Sequence, residues 1–524
     1  MQSQITVDAR AAGLGKTTDS ITGIYARVAL LVSQNERVLI VTASVDLSEQ
    51  YQRDLSSRYN IAATLVNNTT TKSIEKGDDE NQTVTNQLNQ VIANQANRVV
   101  CITASMYKLL KIVQNDWHLI IDECVKPITA SDITWTNDRF TPTLPVDLDQ
   151  VFVKAEEKGD YTRLLLEKDS LDNPVVAAFL SGEFMAKKSN SIIPTDNYDI
   201  WVNSEEYEQF KKEGGKLTFI HTLKQTLIDD WKSVHIAAAA FQHCLTALWL
   251  KFYNIPYKII RNFSKHDRQV RVHTTAEKMS KNKYVGDKDA KTRVEGFIKY
   301  TEAITVNRYI ALYNSGVPVK GQRGDEVAHN CHGLNHLKGL NTVLLLSSIN
   351  LTPSYRDFLN AITGDRFSAR IATEAYDHYQ VVMRSSLRDQ QSSESVSIVV
   401  PCKESALMLS DTFFSNVTIK EINHDVYKKP QLTIADEIYL VQQVIGKEYV
   451  EIPGYSKDYE INAEGQVRRK LKTGDWKVLK GKNMTEPGKP CIDIYDLEGN
   501  MTRRLVKVLF YTTFGTLLQE LQGN

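Results

Sequence analysis

Residues Ala11 to Thr18 read AAGLGKTT and sit directly behind a short apolar run, Ile5 to Val7. A strand that empties into a glycine-bearing loop, and then into a helix opening at a Lys-Thr pair, builds a cradle for a polyphosphate. Backbone N–H groups of the loop and first helical turn converge on phosphate oxygens. The lysine ammonium reaches the outer phosphates, and the threonine hydroxyl binds magnesium. On this reading Ala12, Gly13, Leu14, Gly15, Lys16, Thr17 and Thr18 form the contact segment for a nucleoside triphosphate. Gly13 and Gly15 permit backbone conformations that a Cβ would obstruct. Lys16 is expected on the phosphates in a solvated site and Thr17 on the metal. Loops of this type carry a small residue five before the second glycine, where this chain has Arg10.

A second group of chemical residues ends the run Trp117 to Glu123, WHLIIDE. Continuous apolar runs of this length mark central parallel strands buried on both faces. Carboxylates at the C-terminal end of such a strand open into the crevice where ligands bind in open α/β sheets. Asp122 is expected to hold Mg²⁺, directly or through water, and Glu123 to polarise an attacking water as general base.

Such groups work only if a parallel sheet brings them together, and the pattern predicts one. Strands are expected at Ile5–Val7, Arg37–Thr42, Arg98–Thr103, Trp117–Ile121 and Ser233–Ala240, with helices from Lys16 to about Val32 and from Leu47 to about Tyr59. The polar tract from Asn67 to Asn97 reads as a surface helix and loop. From about Ile128 to Asp230 the alternation fails, and five prolines (127, 142, 145, 174 and 194) suggest loops, short helices and a hairpin. A helix over Phe241–Tyr253 follows. A second α/β unit comes next, with strands at Arg268–His273, Arg308–Tyr313, Thr342–Leu346 and Val396–Val400, and helices around Arg293–Ile304 and Ile371–Leu387. Two such units, only the first with a phosphate loop, are the organisation of motor ATPases. The last part, from about Glu448 to Phe514, is strand-rich, glycine-punctuated and locally basic.

The chain has 524 residues, enough for three or four domains at ~150 residues each. Its 63 basic and 63 acidic residues balance, so no global charge marks a nucleic-acid binder, although local basic grooves are compatible with this. The six cysteines are scattered without zinc spacing, which fits free thiols in a reducing compartment. The longest apolar stretch, Val234 to Phe252, is broken by His235, Gln242, His243 and Lys251 and reads as strand and core helix, not as a membrane span. The residues ahead of the phosphate loop lack a basic-then-apolar pattern, so no signal sequence is expected there. These features predict a cytoplasmic protein without a membrane partner.

With Lys16–Thr17 and Asp122–Glu123 placed, the first 420 or so residues resemble a superfamily 2 helicase, of the DEAD-like, phage-encoded type. Thr42-Ala43-Ser44 and Thr103-Ala104-Ser105 look like the strand-end segments that touch a nucleic-acid backbone, so Thr42, Ser44, Thr103 and Ser105 are implied DNA contacts. The same hydroxyls would serve as ordinary helix caps. Ala237–Ala240 occupies the place of the small-residue motif that couples nucleotide state to the second lobe. Gln380, Arg384 and Arg388 are four apart, so a helix would bring them to one face, as in the family's Gln/Arg motif. There an arginine crosses the cleft to the transferring γ-phosphate. The family sets its arginines four and seven after the glutamine, and here they fall at four and eight, which leaves open which is the finger. His332-Gly333-Leu334-Asn335, with Asn350, resembles the motif that links DNA contact to the γ-phosphate. Residues Cys124-Val125 stand where the best-known branches of the family have Asp or His.

The segments Ile452-Pro453-Gly454-Tyr455, Tyr459 to Asn462, Gly465 to Arg468 and Ile492 to Tyr495 resemble the nuclease-associated modular DNA-binding domain of the fourth type. Between Arg468 and Lys489 eight basic residues meet only Asp475 and Glu486, with Trp476 among them. That density suits phosphate contact plus stacking and makes Arg468, Arg469, Lys470 and Lys480 candidate DNA contacts.

The expected architecture is therefore α/β. Two RecA-like P-loop lobes (1–127 and 241–425) flank an insertion at 128–232, with the last lobe-1 strand near 233–240. A linker at 426–447 leads to a small β-rich DNA-binding module, without a nuclease, at 448–524. The resemblance implies an ATP- and Mg²⁺-dependent DNA helicase or translocase in replication or recombination, located in the host cytoplasm if phage-encoded. The alternative is a DNA-binding ATPase switch or remodeller that never unwinds.

Overall fold

The structure, a computed structural model, describes residues 4–66, 84–94, 96–110, 115–135, 146–167, 172–174, 176, 197–276, 280–329, 337–349, 351–422, 441, 444–445, 448–479, 482–483 and 490–521. In chain order the first strands are β1 (Ile5–Asp8), β2 (Arg37–Thr42), β3 (Ala63–Leu65), β4 (Val99–Thr103) and β5 (Trp117–Asp122). Then come β6 (Ile128–Trp135), β7 (Phe152–Lys158), β8 (Tyr161–Leu166), β9 (Tyr198–Asn203) and β10 (Gly215–Leu223), followed by β11 (Ser233–Ala237) and β12 (Lys258–Arg261). Seven of these form one parallel sheet in the order β12-β1-β11-β5-β2-β4-β3. Alternate residues of each central strand enter two separate apolar clusters. Val38 and Ile40 pack with the helices Ile24–Ser33 (α1) and Val45–Tyr59 (α2), while Leu39 and Val41 join the larger core behind. Burial on both faces is why these strands read as unbroken apolar runs.

The second lobe repeats this architecture. Strands β13 (Val270–Thr275), β14 (Tyr309–Tyr313), β15 (Gly324–Val327), β16 (Thr342–Leu346), β17 (Val396–Cys402) and β18 (Val417–Glu421) pair in parallel in the order β15-β14-β16-β17-β13-β18. Tyr309, Ala311, Leu344 and Leu346 face one cluster, and Ile310, Leu312, Val343 and Leu345 face the other. The two RecA-like lobes expected from the alternation are present, and one apolar core runs through both. Strands β3, β12, β15 and β18 add to the expected set. Each lies at a sheet edge and is short or half-exposed, so none carries an apolar run.

Four expectations are corrected. The described residues between β5 and β11, read as loops, short helices and a hairpin, do include short helices and the β7–β8 hairpin. These belong, however, to a five-stranded antiparallel sheet that was not expected, in the order β6-β10-β9-β8-β7, with its own core around Ile133, Val202, Leu217 and Phe219. The helix expected from Lys16 starts only at Ile24, and residues 16–23 are turns. The Asp19 carboxylate accepts the N–H groups of Ile21 and Thr22, at 3.0 and 2.8 Å, and so supplies those amides outside a helix. The helix expected over Ile371–Leu387 is broken. An α-helical turn at Arg366–Arg370 passes through a π-helical stretch, Ile371–Ala375, into the helix Tyr376–Val382, with a last 3₁₀ turn at Ser386–Arg388. The expected strand Ser233–Ala240 stops at Ala237, after which Ala240 takes φ +51°.

The C-terminal part forms two antiparallel sheets. One contains β19 (Tyr449–Glu451), β20 (Tyr459–Asn462), β21 (Val467–Lys470) and β22 (Trp476–Val478); the other contains β23 (Lys482–Asn483), β24 (Pro490–Tyr495) and β25 (Met501–Leu505). The helix Val506–Leu521 closes them over a core of Ile461, Val467, Ile494, Leu509 and Phe510. Among the described residues no helix is long and apolar enough to cross a membrane.

Candidate nucleotide site

Strands β1, β11 and β5 are adjacent, so their C-terminal ends place the phosphate loop, the alanine run and the Asp-Glu pair side by side. Gly13 and Gly15 have φ +86° and +73°, the left-handed region expected of loop glycines. Gly13 has a second reason to lack a side chain. A Cβ there would lie 2.6 Å from the carbonyl oxygen of Arg388, in the other lobe. The Gln390 amide also donates to the Gly13 carbonyl at 3.1 Å. The cleft between the lobes has a volume of about 580 Å³, and Gly15, Lys16, Thr17, Asp122, Glu123, Arg384 and Arg388 are among the residues lining it.

The Lys16 side chain is not solvated as expected. It is 7% exposed, and its ammonium donates to the carbonyls of Arg10 and Ala11 at 3.0 and 3.2 Å. Burial lowers its pKa, against the pull of Glu123, Asp122 and Asp8. Arg10, the departure from the usual loop pattern, folds back onto buried Asp8 as a two-pronged ion pair, with Nη2 2.6 Å from Oδ2. The residue is thereby neutralised inside the loop.

Asp122 accepts a hydrogen bond from buried Tyr51 at 2.7 Å, and burial followed by the neighbouring Glu123 charge pushes its pKa up to about 7. Glu123 leaves the strand with φ +78°, a conformation costing a non-glycine residue ~1–2 kcal/mol. Its amide donates to the Ala237 carbonyl at 3.0 Å, which holds the turn. The buried Oε2 of Glu123, the Nε of Arg384 and both amide atoms of Gln380 have no hydrogen-bond partner among the described residues. Unpaired buried polar atoms are costly unless a ligand or water completes them. Arg388 has its pKa lowered by burial and by Arg384, while Glu123 and Asp122 act in the opposite sense. Cations from one lobe thus oppose carboxylates and a glycine loop from the other. That donor set fits a polyphosphate with a magnesium ion.

Although Gln380, Arg384 and Arg388 do not share one helix, the break after Val382 still delivers both arginines to the cleft. The single helical face implied by the spacing of four is therefore absent, and the two arginines line the cleft by way of the break. Sequence reasoning missed Tyr51, Tyr376 and Tyr379. All are buried tyrosines whose hydroxyls bond to site segments, and in the sequence they look like ordinary core aromatics.

The strand-end hydroxyls act mostly as local braces. Thr42 is 1% exposed and bonds Ser44 and Ser48, so its side chain is withdrawn from any ligand. Ser44 and Thr103 accept the N–H groups of Leu47 and Met106 as helix caps, and Ser105 is exposed. In the C-terminal module Arg468 is committed internally. It pairs with Glu460 and lies over the rings of Tyr449 and Trp476, 4.0 and 4.4 Å from their centroids. Arg469 and Lys470 are exposed. Lys480, the segment His332–Asn335 and Asn350 lie outside the described residues.

No protein-family model and no curated protein matches this sequence. Among solved structures the chain is similar to S. tokodaii Xpd4, at 11% identity over 80% of this chain and 96% of that one, with a TM-score of 0.41. It is also similar to S. cerevisiae Dbp5 bound to RNA and ADP BeF3, at 8% identity, 80% and 85% coverage and a TM-score of 0.34. The DUF1998 helicase MrfA bound to DNA aligns at 8% identity, covering 82% of this chain and 49% of that one, with a TM-score of 0.31.

Proposed function

We propose that this chain is an ATP-dependent nucleic-acid helicase or translocase that acts on DNA. The observation that carries the reading is the inter-lobe cleft, where the loop of Gly13 to Thr18 and the Asp122–Glu123 pair face Arg384 and Arg388 across about 580 Å³. Lys16 and the loop amides would hold the phosphates, and Thr17 and Asp122 would hold Mg²⁺. When bound, the metal would neutralise phosphate charge and orient the outer phosphate. Glu123, with one buried oxygen already free of partners among the described residues, would orient and deprotonate the attacking water. An arginine from the second lobe would stabilise charge that develops in the transition state, so hydrolysis would require the lobes to be closed. Tying catalysis to lobe closure is what converts turnover into movement along a strand.

The C-terminal module, from about residue 448, would add affinity through the exposed Arg469 and Lys470, with Thr103 and Ser105 on the first lobe as further contacts. Hydrolysis of ATP should be measured in parallel without nucleic acid, with single-stranded DNA, with duplex DNA and with RNA. DNA-stimulated turnover is the expected result. Turnover that no nucleic acid changes would overturn the reading, and stimulation by RNA alone would reassign the substrate.

A further inference from the structure

The helix Tyr376–Val382 presents two tyrosines one turn apart to the first lobe, and each reaches a different part of its chemistry. The Tyr376 hydroxyl donates to the Ala239 carbonyl at 3.0 Å and lies 3.3 Å from the Sγ of Cys124, the residue that follows Glu123. The Tyr379 hydroxyl accepts the N–H of Ala12, in the phosphate loop, at 3.4 Å and lies 3.0 Å from His266 Nε2. Burial pushes the His266 pKa down to about 4, so near neutral pH the imidazole is uncharged and a ring nitrogen is free to take the tyrosine proton. That leaves the oxygen lone pairs for the loop amide. Tyr379 also stacks on Phe413, with centroids 4.2 Å apart and planes at 11°, which fixes the ring on the second lobe. Between the two tyrosines in sequence, Asp377 pairs with Lys126 of the first lobe at 2.6 Å. Gln380, the residue after Tyr379, and then Arg384 carry the partnerless polar atoms.

We propose that Tyr376 and Tyr379 are positioning residues that clamp the carboxylate turn and the phosphate loop to the helix preceding the arginines, and so transmit nucleotide occupancy between the lobes. The inference rests on the proposed ATPase reading. Neither hydroxyl touches the reacting atoms; each holds first-lobe backbone in register with Gln380, Arg384 and Arg388. Because the contacts are made by single hydroxyls on buried rings, Tyr→Phe removes them while keeping the packing.

The test compares Tyr376→Phe, Tyr379→Phe and the double variant with Tyr107→Phe. Tyr107 loses a hydroxyl of the same kind, one bonded to the Leu227 carbonyl of the insertion and not to the opposite lobe. The readouts are kcat and KM for ATP, and the ratio of single-stranded DNA affinities with and without a non-hydrolysable ATP analogue. That ratio measures the coupling itself, and such couplings are typically ~5–150-fold. The two cleft variants should keep KM within about threefold, while kcat and the affinity ratio each fall by roughly tenfold. Tyr107→Phe should leave both unchanged. An unaltered ratio and kcat in both cleft variants, or an equal loss in Tyr107→Phe, would overturn the inference while leaving the ATPase reading intact. A wild-type protein that neither hydrolyses ATP nor binds its analogue would overturn the ATPase reading instead.

Discussion

The two lobes have nearly the same parallel sheet but different chemistry at the ends of their strands. In the first lobe, β1 runs into Asp8, Arg10 and the Gly13–Thr18 loop, and β5 ends on Asp122 and Glu123. In the second, β14 ends at Tyr313 and Asn314, β16 at Leu346 and Ser347, and β17 at Cys402. None of those three strands runs into a carboxylate pair or a Gly-Lys-Thr sequence. The second lobe supplies cations instead, from a broken helix and not from a strand end. A shared architecture thus sets where groups are displayed, while the residues just past each strand decide what the display does. The asymmetry also makes the site composite, with neither lobe holding a complete donor set.

Removing the first lobe's contribution should have the largest effect. Lys16→Ala is expected to reduce ATP turnover to background. Because the ammonium satisfies the Arg10 and Ala11 carbonyls, a modest fall in Tm should accompany the loss. Steady-state hydrolysis near wild type would remove the first lobe's claim to the phosphates.

The second lobe's contribution is tested by Arg384→Ala and Arg388→Ala. A finger acts mainly on transition-state charge, so each variant should spare ATP affinity more than kcat. A loss of about a hundredfold or more confined to one of them would identify the finger. If neither variant slows hydrolysis, the cations of the second lobe are structural and the site belongs to the first lobe alone.

The contact between the lobes is tested by Gly13→Ala. The new methyl meets the Arg388 carbonyl at 2.6 Å, and the backbone is already in the left-handed region at φ +86°. Strain of ~1–2 kcal/mol is expected from the backbone alone, visible as a lowered Tm. The steric clash should also weaken the nucleotide-dependent gain in DNA affinity, and an unchanged gain would mean that the lobes need not meet there.

The smallest effect concerns a region outside both lobes. Deleting the residues after Lys447 should leave DNA-stimulated hydrolysis largely intact while weakening DNA binding at moderate salt. Every phosphate that the shortened protein no longer neutralises takes about 0.9 (duplex) or 0.7 (single strand) off the slope of log affinity against log salt. Arg468 is already committed to Glu460, so the slope should flatten by fewer units than the basic count of this stretch suggests. An unchanged slope would mean that the lobes make all of the DNA interactions.

By itself the sequence determined the elements whose signal is local. Apolar runs such as RVLIVT and TVLLL become buried parallel strands because both faces are covered, so no polar residue interrupts them. The sequence also named the three segments, glycine loop, carboxylate pair and Gln/Arg stretch, whose residues line one cleft in the structure. Only the tertiary structure decided the rest. Whether the insertion folds as a sheet depends on pairings between segments tens of residues apart, such as Ile220 with Ala130 and Trp201. Whether Thr42 points inward depends on Ser48 beneath it, and whether Arg468 is free depends on Glu460 across a strand pair. The arginines reach the cleft because the helix stops at Val382, against what their spacing implied. Tyr376 and Tyr379 acquire meaning only when the first lobe's backbone lies within hydrogen-bond reach of their hydroxyls. Local patterns report burial and backbone preference, whereas a partner distant in the chain is set by how the lobes close on each other.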